Sequence, residues 1–142
     1  MRFARAVGYS GPVLRFLALL PVLVAACTEQ PPMCTTVDTA CAPLYPPTWD
    51  NVYSHTLATS CGADRSACHS DIGLRGGMTF ADKDTSYTEL LRGRVEPGNA
   101  ACSLMVVRVE GVGKDYQMPQ GDPLSAAERC AIAQWVQMGA TK

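Results

Sequence analysis

The chain lacks an excess of basic residues and any apolar run long enough to cross a membrane. Its 12 Lys and Arg face 13 Asp and Glu, a formal net charge of -1. Nucleic-acid binding by charge requires a basic surface, so we expect no nucleic-acid partner. The longest apolar run covers only residues 16–26, well below the roughly 20 residues that a transmembrane helix needs. Alternating patterns typical of strands are almost absent, which favours an all-α fold.

Cysteine, by contrast, is abundant. Seven cysteines occur in 142 residues, and cytosolic proteins seldom carry that many unless they bind a metal. The count therefore indicates a compartment outside the cytoplasm. The length suits one domain with an extension and is too short for two independent cores.

Residues 1–26 have the layout of a secretory signal peptide, with three arginines, no acidic residue and a short apolar run. The sequence Val24-Ala-Ala-Cys27 resembles the lipobox of bacterial lipoproteins, in which the signal is cut before the cysteine and that thiol is lipidated. We therefore expect Cys27 to anchor the chain in the bacterial cell envelope, facing the periplasm, on the inner or the outer membrane. The alternative is an ordinary cleavage site with a chance cysteine.

Residues 27–48 are predicted to form a Pro-rich linker. The stretch from Thr28 to Thr48 contains five of the 10 prolines and almost no periodic apolar pattern, which is typical of an extended spacer. Cys34 and Cys41 lie within it, and in an oxidising envelope we expect them to form a local disulfide.

Residues 49–142 are predicted to fold as a small helical domain with long loops. Apolar residues recur at helical spacing after Thr48, which can cap a helix. Patterns typical of a capping box begin at Ser86 and Ser125. The predicted helices run from Trp49 to about Cys61, from Ser86 to Gly93, from Ala101 to Val109 and from Ser125 to Gly139.

One of the two histidines directly follows a cysteine, in the sequence Cys61-x6-Cys68-His69. This order resembles the haem-attachment motif of c-type cytochromes, in which two cysteines bond the haem vinyl groups and the next histidine ligates the iron. The usual insert has two residues and this one has six. A longer insert can loop out at an entropic cost that grows slowly with length, so the wider spacing weakens the motif without excluding it.

A second iron ligand would come from elsewhere in the chain. Met118 precedes Pro119 in a loop before the last predicted helix, and the proline biases the methionine towards an extended backbone. His55 is the other candidate, and we expect it to lie on the surface of the first helix instead.

The order of these segments resembles class I cytochrome c-like domains of bacterial envelope proteins, especially those of myxobacteria and planctomycetes. The resemblance covers about residues 49–140 and is most specific where Met118-Pro119 and Leu124-Ser125 precede a helix ending in Trp135-Val-Gln-Met-Gly-Ala140. It implies one covalent haem c, with Cys61 and Cys68 as thioether sites and His69 and Met118 as axial iron ligands. It also implies that Trp135 packs the last helix against the first.

Cys102 and Cys130 flank the loop that carries Met118. In an oxidised compartment we expect them to form a disulfide, which would stiffen that loop.

Two functions are compatible with these patterns. The first is a monomeric, membrane-anchored haem protein that transfers electrons to a redox partner protein and is not an enzyme. The second is a haem-free, disulfide-stapled lipoprotein that acts as a structural or binding module. In the second case Cys61 and Cys68 would form a third disulfide.

Overall fold

The computed structural model describes residues 30–62 and 68–142, so the predicted signal peptide and Cys27 lie outside the described residues. This part of the chain contains helices and no strand, which confirms the predicted all-α fold there. None of its helices is both long and apolar enough to cross a membrane. The elements are α1 (Trp49–Asn51), a π-helix (Val52–Gly62), a 3-10 turn (Arg75–Gly77), α2 (Lys83–Leu90), α3 (Leu104–Glu110) and α4 (Ala126–Gln137).

The first predicted helix is present, and it changes type along its length. The Thr48 side chain caps α1 by accepting a hydrogen bond from the Asn51 N–H at 3.4 Å, and the π-helix follows directly. It ends at Gly62, where a Cβ atom would lie 2.7 Å from the Cβ of Phe80. Because real Cβ atoms do not approach that closely, glycine allows the helix end, and with it Cys61, to pack against Phe80.

The start predicted for α2 is wrong by one helical turn. Asp82 is the N-cap, and its side chain accepts from the Thr85 N–H at 2.8 Å. Ser86, the predicted cap, is buried within the helix and donates from its hydroxyl to the Asp82 carbonyl. Glu89, its predicted capping-box partner, accepts instead from the Thr79 N–H at 2.9 Å. The carboxylate of Asp82 supplies a cap one turn earlier, so the helix begins there.

The capping box predicted for α4 is confirmed. Ser125 accepts from the Glu128 N–H at 3.2 Å, and the Glu128 carboxylate accepts from the Ser125 N–H at 2.9 Å. A half-buried ion pair between Arg129 and Glu110, with Nε and Oε2 3.1 Å apart, links α4 to the last residue of α3. These local contacts fix the two helices that follow the central loops.

An aromatic cluster joins the first helix to the last. The rings of Trp49 and Trp135 have centroids 5.3 Å apart, and Tyr87 lies 5.3 Å from Trp49. Trp135 also donates from its indole nitrogen to the Thr141 carbonyl at 2.9 Å. The expected packing of Trp135 against the first helix is therefore confirmed.

Residues 34–48, called here the N-terminal segment, lie along the surface of the helical domain. Half-buried and exposed residues alternate strictly along it, as in an extended chain with one face against a surface. Val37 and Tyr45 pack against the core, and the Gln134 side chain donates to the Thr39 and Cys41 carbonyls at 3.0 and 2.9 Å. The predicted spacer is extended over these residues, but it is bonded to the helical domain along its length.

The disulfide pairing also differs from the prediction. The four expected cysteines are bonded, but as Cys34–Cys102 and Cys41–Cys130. The predicted pairs, Cys34 with Cys41 and Cys102 with Cys130, are wrong. Seven residues of extended chain separate Cys34 and Cys41 by roughly 25 Å, whereas a disulfide needs Cα atoms within about 7 Å.

The course of the N-terminal segment explains the observed pairs. The Thr35 N–H donates to the Ala101 carbonyl at 2.8 Å, just before α3, and the Leu44 N–H donates to the Ala127 carbonyl at 2.9 Å, at the start of α4. The segment thus passes α3 first and α4 second. Cys34 thus meets Cys102 just before α3, and Cys41 meets Cys130 within α4.

Candidate functional site

A cavity of about 710 Å³ lies between the end of the π-helix, the loop after Cys68, α3 and the loop around Met118. Pockets that take small molecules and cofactors have volumes of about 300 to 1,000 Å³. Most of the wall is apolar. Its apolar residues include Leu57, Met78, Phe80, Leu90, Val109 and Ile132.

The four residues predicted to hold a haem all line this cavity. Cys61 lines the cavity near the end of the π-helix. Cys68 and His69 line it from the following loop, and Met118 lines it from the loop before α4. Three of these residues lie within nine positions of one another, whereas Met118 lies 49 residues after His69. The fold therefore brings together two thiols, an imidazole and a thioether around one apolar space.

His69 is fixed from both sides by its backbone. Its N–H donates to the Cys61 carbonyl at 3.3 Å, and its carbonyl accepts from the Phe80 N–H at 2.6 Å. The imidazole ring also lies against the ring of Phe80, with centroids 5.2 Å apart. The side chain consequently has a defined place on the cavity wall.

The hydrogen bond between His69 and Cys61 bears directly on the unusual spacing of the motif. In an α-helix such a bond joins residues four apart, which is the separation of the first cysteine and the histidine in C-x-x-C-H. Here it joins residues eight apart. The six-residue insert, of which 63–67 lie outside the described residues, therefore leaves Cys61 and His69 in backbone contact.

The two thiols at the cavity differ in environment. Both Cys61 and Cys68 are free, so the third disulfide of the alternative interpretation is not formed. Burial raises the pKa of Cys61 to about 12, and the charges of Glu128 and Cys68 add to the shift. Cys68 is exposed. Since the thiolate is the reactive form, Cys68 is the more reactive thiol in the haem-free protein.

The imidazole of His69 is held in its neutral form. Burial lowers its pKa, backbone carbonyls of Arg75 and Met78 act in the opposite direction, and the charges of Arg94 and Arg108 lower it further. Nδ1 is buried, and among the described residues it makes no hydrogen bond of normal geometry. Neutral imidazole is the form that binds metals.

Met118 sits in a loop that is held by its neighbour Gln117. The buried Gln117 side chain donates to the carbonyls of Pro119 and Gly121, both at 2.9 Å, and accepts from the Gly113 N–H at 2.7 Å. The Met118 N–H donates to the Arg108 carbonyl at 3.0 Å, which ties the loop to α3. The peptide bond between Met118 and Pro119 is cis. Met118 itself is half-buried at the cavity wall.

Arginines form the charged part of the wall. Arg75, Arg92, Arg94 and Arg108 line the cavity, and no acidic residue lies among its described lining residues. Arg94 is anchored by donating to the Glu89 and Gly76 carbonyls at 2.9 and 2.7 Å. Arg108 is anchored by the Tyr116 carbonyl at 3.3 Å. The cavity is therefore suited to an apolar molecule that carries negative groups.

Sequence reasoning missed these arginines and Gln117. The arginines lie in separate loops and helices, and the overall charge gives no sign of a local positive cluster. Gln117 is buried whereas Gln120 in the same loop is exposed, a difference that residue type does not reveal. Tertiary structure alone brings these side chains to the site.

His55 takes no part in the site. It is exposed, as expected, and its ring lies 5.1 Å from that of Tyr45. The described part of the chain also contains no group of three His, Cys, Asp or Glu side chains placed to hold a metal ion. A protein-only metal centre is therefore not supported there.

Comparison with protein-family models, curated proteins and solved structures finds no match to this chain. The cavity and the residues around it are the basis for inferring what the protein does.

Proposed function

We propose that this protein is a membrane-anchored, c-type cytochrome-like haem protein that transfers electrons in the bacterial cell envelope and is not itself an enzyme. The observation that carries the proposal is the meeting of Cys61, Cys68, His69 and Met118 at one apolar cavity. A haem of the class I cytochrome type would be held by two thiols, a histidine and a methionine. The site offers one side chain for each of these roles.

The lining of the cavity fits a haem in chemical character. A haem is a flat, largely apolar ring that carries two carboxylates. The apolar wall suits the ring, and the anchored Arg94 and Arg108 suit the carboxylates. When bound, the haem supplies a reversible one-electron couple at its iron.

Each of the four residues has a distinct role in this proposal. Cys61 and Cys68 would hold the haem through thioethers, each formed by addition of the S–H across a vinyl double bond without an oxidant. His69 would bind the iron through its imidazole and Met118 through its sulfur. The apolar wall and the thioether ligand favour the ferrous state and so raise the reduction potential.

The location follows from the predicted N-terminus. The signal peptide and the lipidated Cys27 would attach the domain to a membrane on its periplasmic side. The partner would be another redox protein, and the domain itself would be a monomer.

The alternative function is a haem-free, disulfide-stapled lipoprotein that acts as a structural or binding module. The pairs Cys34–Cys102 and Cys41–Cys130 are compatible with both functions. The module interpretation expects Cys61 and Cys68 to be bonded to each other, and both are free. Two unbonded thiols at the cavity are what thioether attachment would need, and they support the haem protein in this respect.

The test uses full-length protein exported in a host with cytochrome c maturation machinery. The measurements are the visible spectrum, haem staining of a denaturing gel and the intact mass. We expect a Soret band and haem that stays with the chain after denaturation, and the pyridine spectrum then separates one thioether from two. A colourless chain whose mass shows Cys61 and Cys68 oxidised to each other would support the module instead.

The Met118→Ala variant tests the distal ligand. We expect loss of the far-red charge-transfer band of the ferric protein and a lower reduction potential, because the thioether ligand is removed. Met138→Ala is the matched control, since Met138 is 61% exposed and does not line the cavity. An unchanged far-red spectrum in Met118→Ala would show that another group occupies that position.

A further inference from the structure

The N-terminal segment changes how far the domain can move from the membrane. Cys34 is bonded to Cys102, and Cys41 is bonded to Cys130. Between and beside these bonds, backbone and side-chain hydrogen bonds hold the segment at α3 and α4. The chain is therefore joined to the domain from Cys34 onward, and not from Trp49.

The available linker is consequently short. Cys27 and Cys34 are seven residues apart, and a fully stretched chain of that length covers at most about 25 Å. A linker that stayed free as far as Trp49 would cover about 75 Å by the same rule. Docking of the segment removes two thirds of this reach.

We infer that the domain is held directly at the membrane surface and exchanges electrons only with partners whose redox centres come within that surface layer. This inference rests on the proposed lipid anchor at Cys27 and on the proposed electron transfer. A domain of this size is roughly 35 Å across. No part of it can therefore lie more than about 60 Å from the lipid attachment point.

The limit of about 60 Å from the lipid attachment point restricts which redox proteins can be partners. A partner must present its own redox centre within that layer, either as a protein embedded in the same membrane or as one that docks at its surface. To reach a partner held at the opposite membrane, this domain would need a longer linker than the chain provides. The disulfides make the limit independent of fluctuations in the hydrogen bonds of the segment, because a covalent bond holds each end.

Neutron reflectometry on a supported lipid bilayer tests the position of the domain. The protein is the full-length lipidated form with its haem, purified from membranes. One variant carries 60 Gly and Ser residues inserted between Gln30 and Pro31, which leaves every contact of the N-terminal segment unchanged. A flexible linker of that length has a mean extension of about 45 Å, against about 15 Å for seven residues. The matched control carries the same 60 residues after Lys142.

We expect the dense protein layer of the wild type to lie within about 60 Å of the lipid headgroups. The control should place this layer at the same distance, and the variant with the longer linker should move it outward and broaden it. A wild-type layer as distant as that of the long-linker variant would overturn the inference and leave the anchor intact. Protein that does not stay on the bilayer would overturn the anchor, and the inference with it.

A second measurement checks the docked segment independently of the bilayer. Peptide mapping of the non-reduced protein should recover Cys34 linked to Cys102 and Cys41 linked to Cys130. Recovery of a local Cys34–Cys41 link would show that the segment is free, and would overturn the inference even if haem is bound. Absence of haem with the expected links would overturn the proposed electron transfer alone and leave the position of the domain at the membrane in place.

Discussion

Replacing Gln117 with alanine should loosen the loop that carries Met118. The side chain makes three hydrogen bonds within that loop, to Gly113, Pro119 and Gly121, and only 7% of the residue is exposed. No apolar contact replaces these bonds in the variant. Because they lie on both sides of Met118, their loss should affect the position of its sulfur as well as stability.

The expected magnitude follows from these bonds. A hydrogen bond in a folded protein contributes about 1 kcal/mol net, and the freed groups of Pro119 and Gly121 lie near the surface, where water can reach them. We therefore expect the free energy of unfolding to fall by about 2 to 3 kcal/mol. For a domain of this size, that corresponds to a decrease in Tm on the order of 10 °C.

Thermal unfolding of the haem-loaded protein, followed by circular dichroism, measures the loss of stability. The far-red absorption band, followed during the same heating, reports the bond between Met118 and the iron. In Gln117→Ala this band should disappear at a temperature well below that of global unfolding. Asp122→Ala is the matched control, because Asp122 is exposed in the same loop and does not line the cavity, and its loss should change stability by less than about 0.5 kcal/mol. Equal behaviour of the two variants would refute the reasoning.

Three further predictions concern the cavity. In the haem-free protein, iodoacetamide at pH 8 should alkylate Cys68 much faster than Cys61, because burial raises the pKa of Cys61 to about 12. That pKa lies above the value of 9.0 for a free thiol, so the free energy of unfolding should fall as the pH rises above about 9. Peptide masses measure the alkylation of each cysteine, and denaturant titrations measure the free energy of unfolding. Equal alkylation rates of Cys61 and Cys68 would contradict the first prediction. Arg94→Gln should lower the reduction potential of the haem protein, because the charge of Arg94 acts on His69 and a nearby positive charge favours ferrous iron. Arg94→Lys keeps the charge and is the control, and redox titration giving one potential for both variants would contradict the prediction.

Local sequence patterns were sufficient for the helices, with a limit that α2 shows. The capping box at Ser125 is correct because both partners lie within one turn and no earlier residue offers a better cap. At Ser86 the same pattern is misleading, because Asp82 caps the helix one turn earlier. The change from α-helix to π-helix after Asn51 could not be read from the spacing of apolar residues, which suits either form over so short a stretch.

The disulfides and the cavity arginines could not be predicted for a different reason. Four cysteines allow three pairings, and sequence alone does not distinguish them. The correct pairing depends on the path of the N-terminal segment across α3 and α4, which is set by contacts more than 60 residues apart, as the separations of 68 and 89 within the two bonded pairs show. The motif residues, by contrast, could be predicted from their side-chain chemistry, because the chain has few thiols, imidazoles and thioethers. The fold places the four predicted residues at one cavity.

The wide spacing between Cys61 and His69 is a smaller obstacle to haem attachment than it first suggests. Doubling the length of a closed loop costs only about 0.6 kcal/mol in chain entropy, and the separation of the first cysteine and the histidine doubles here from four residues to eight. The bond from the His69 N–H to the Cys61 carbonyl at 3.3 Å keeps the two residues in contact across the longer insert. Attachment then depends on where the two thiols stand, and both line the cavity that His69 and Met118 share. The length of the insert is therefore no physical reason to exclude attachment at both cysteines.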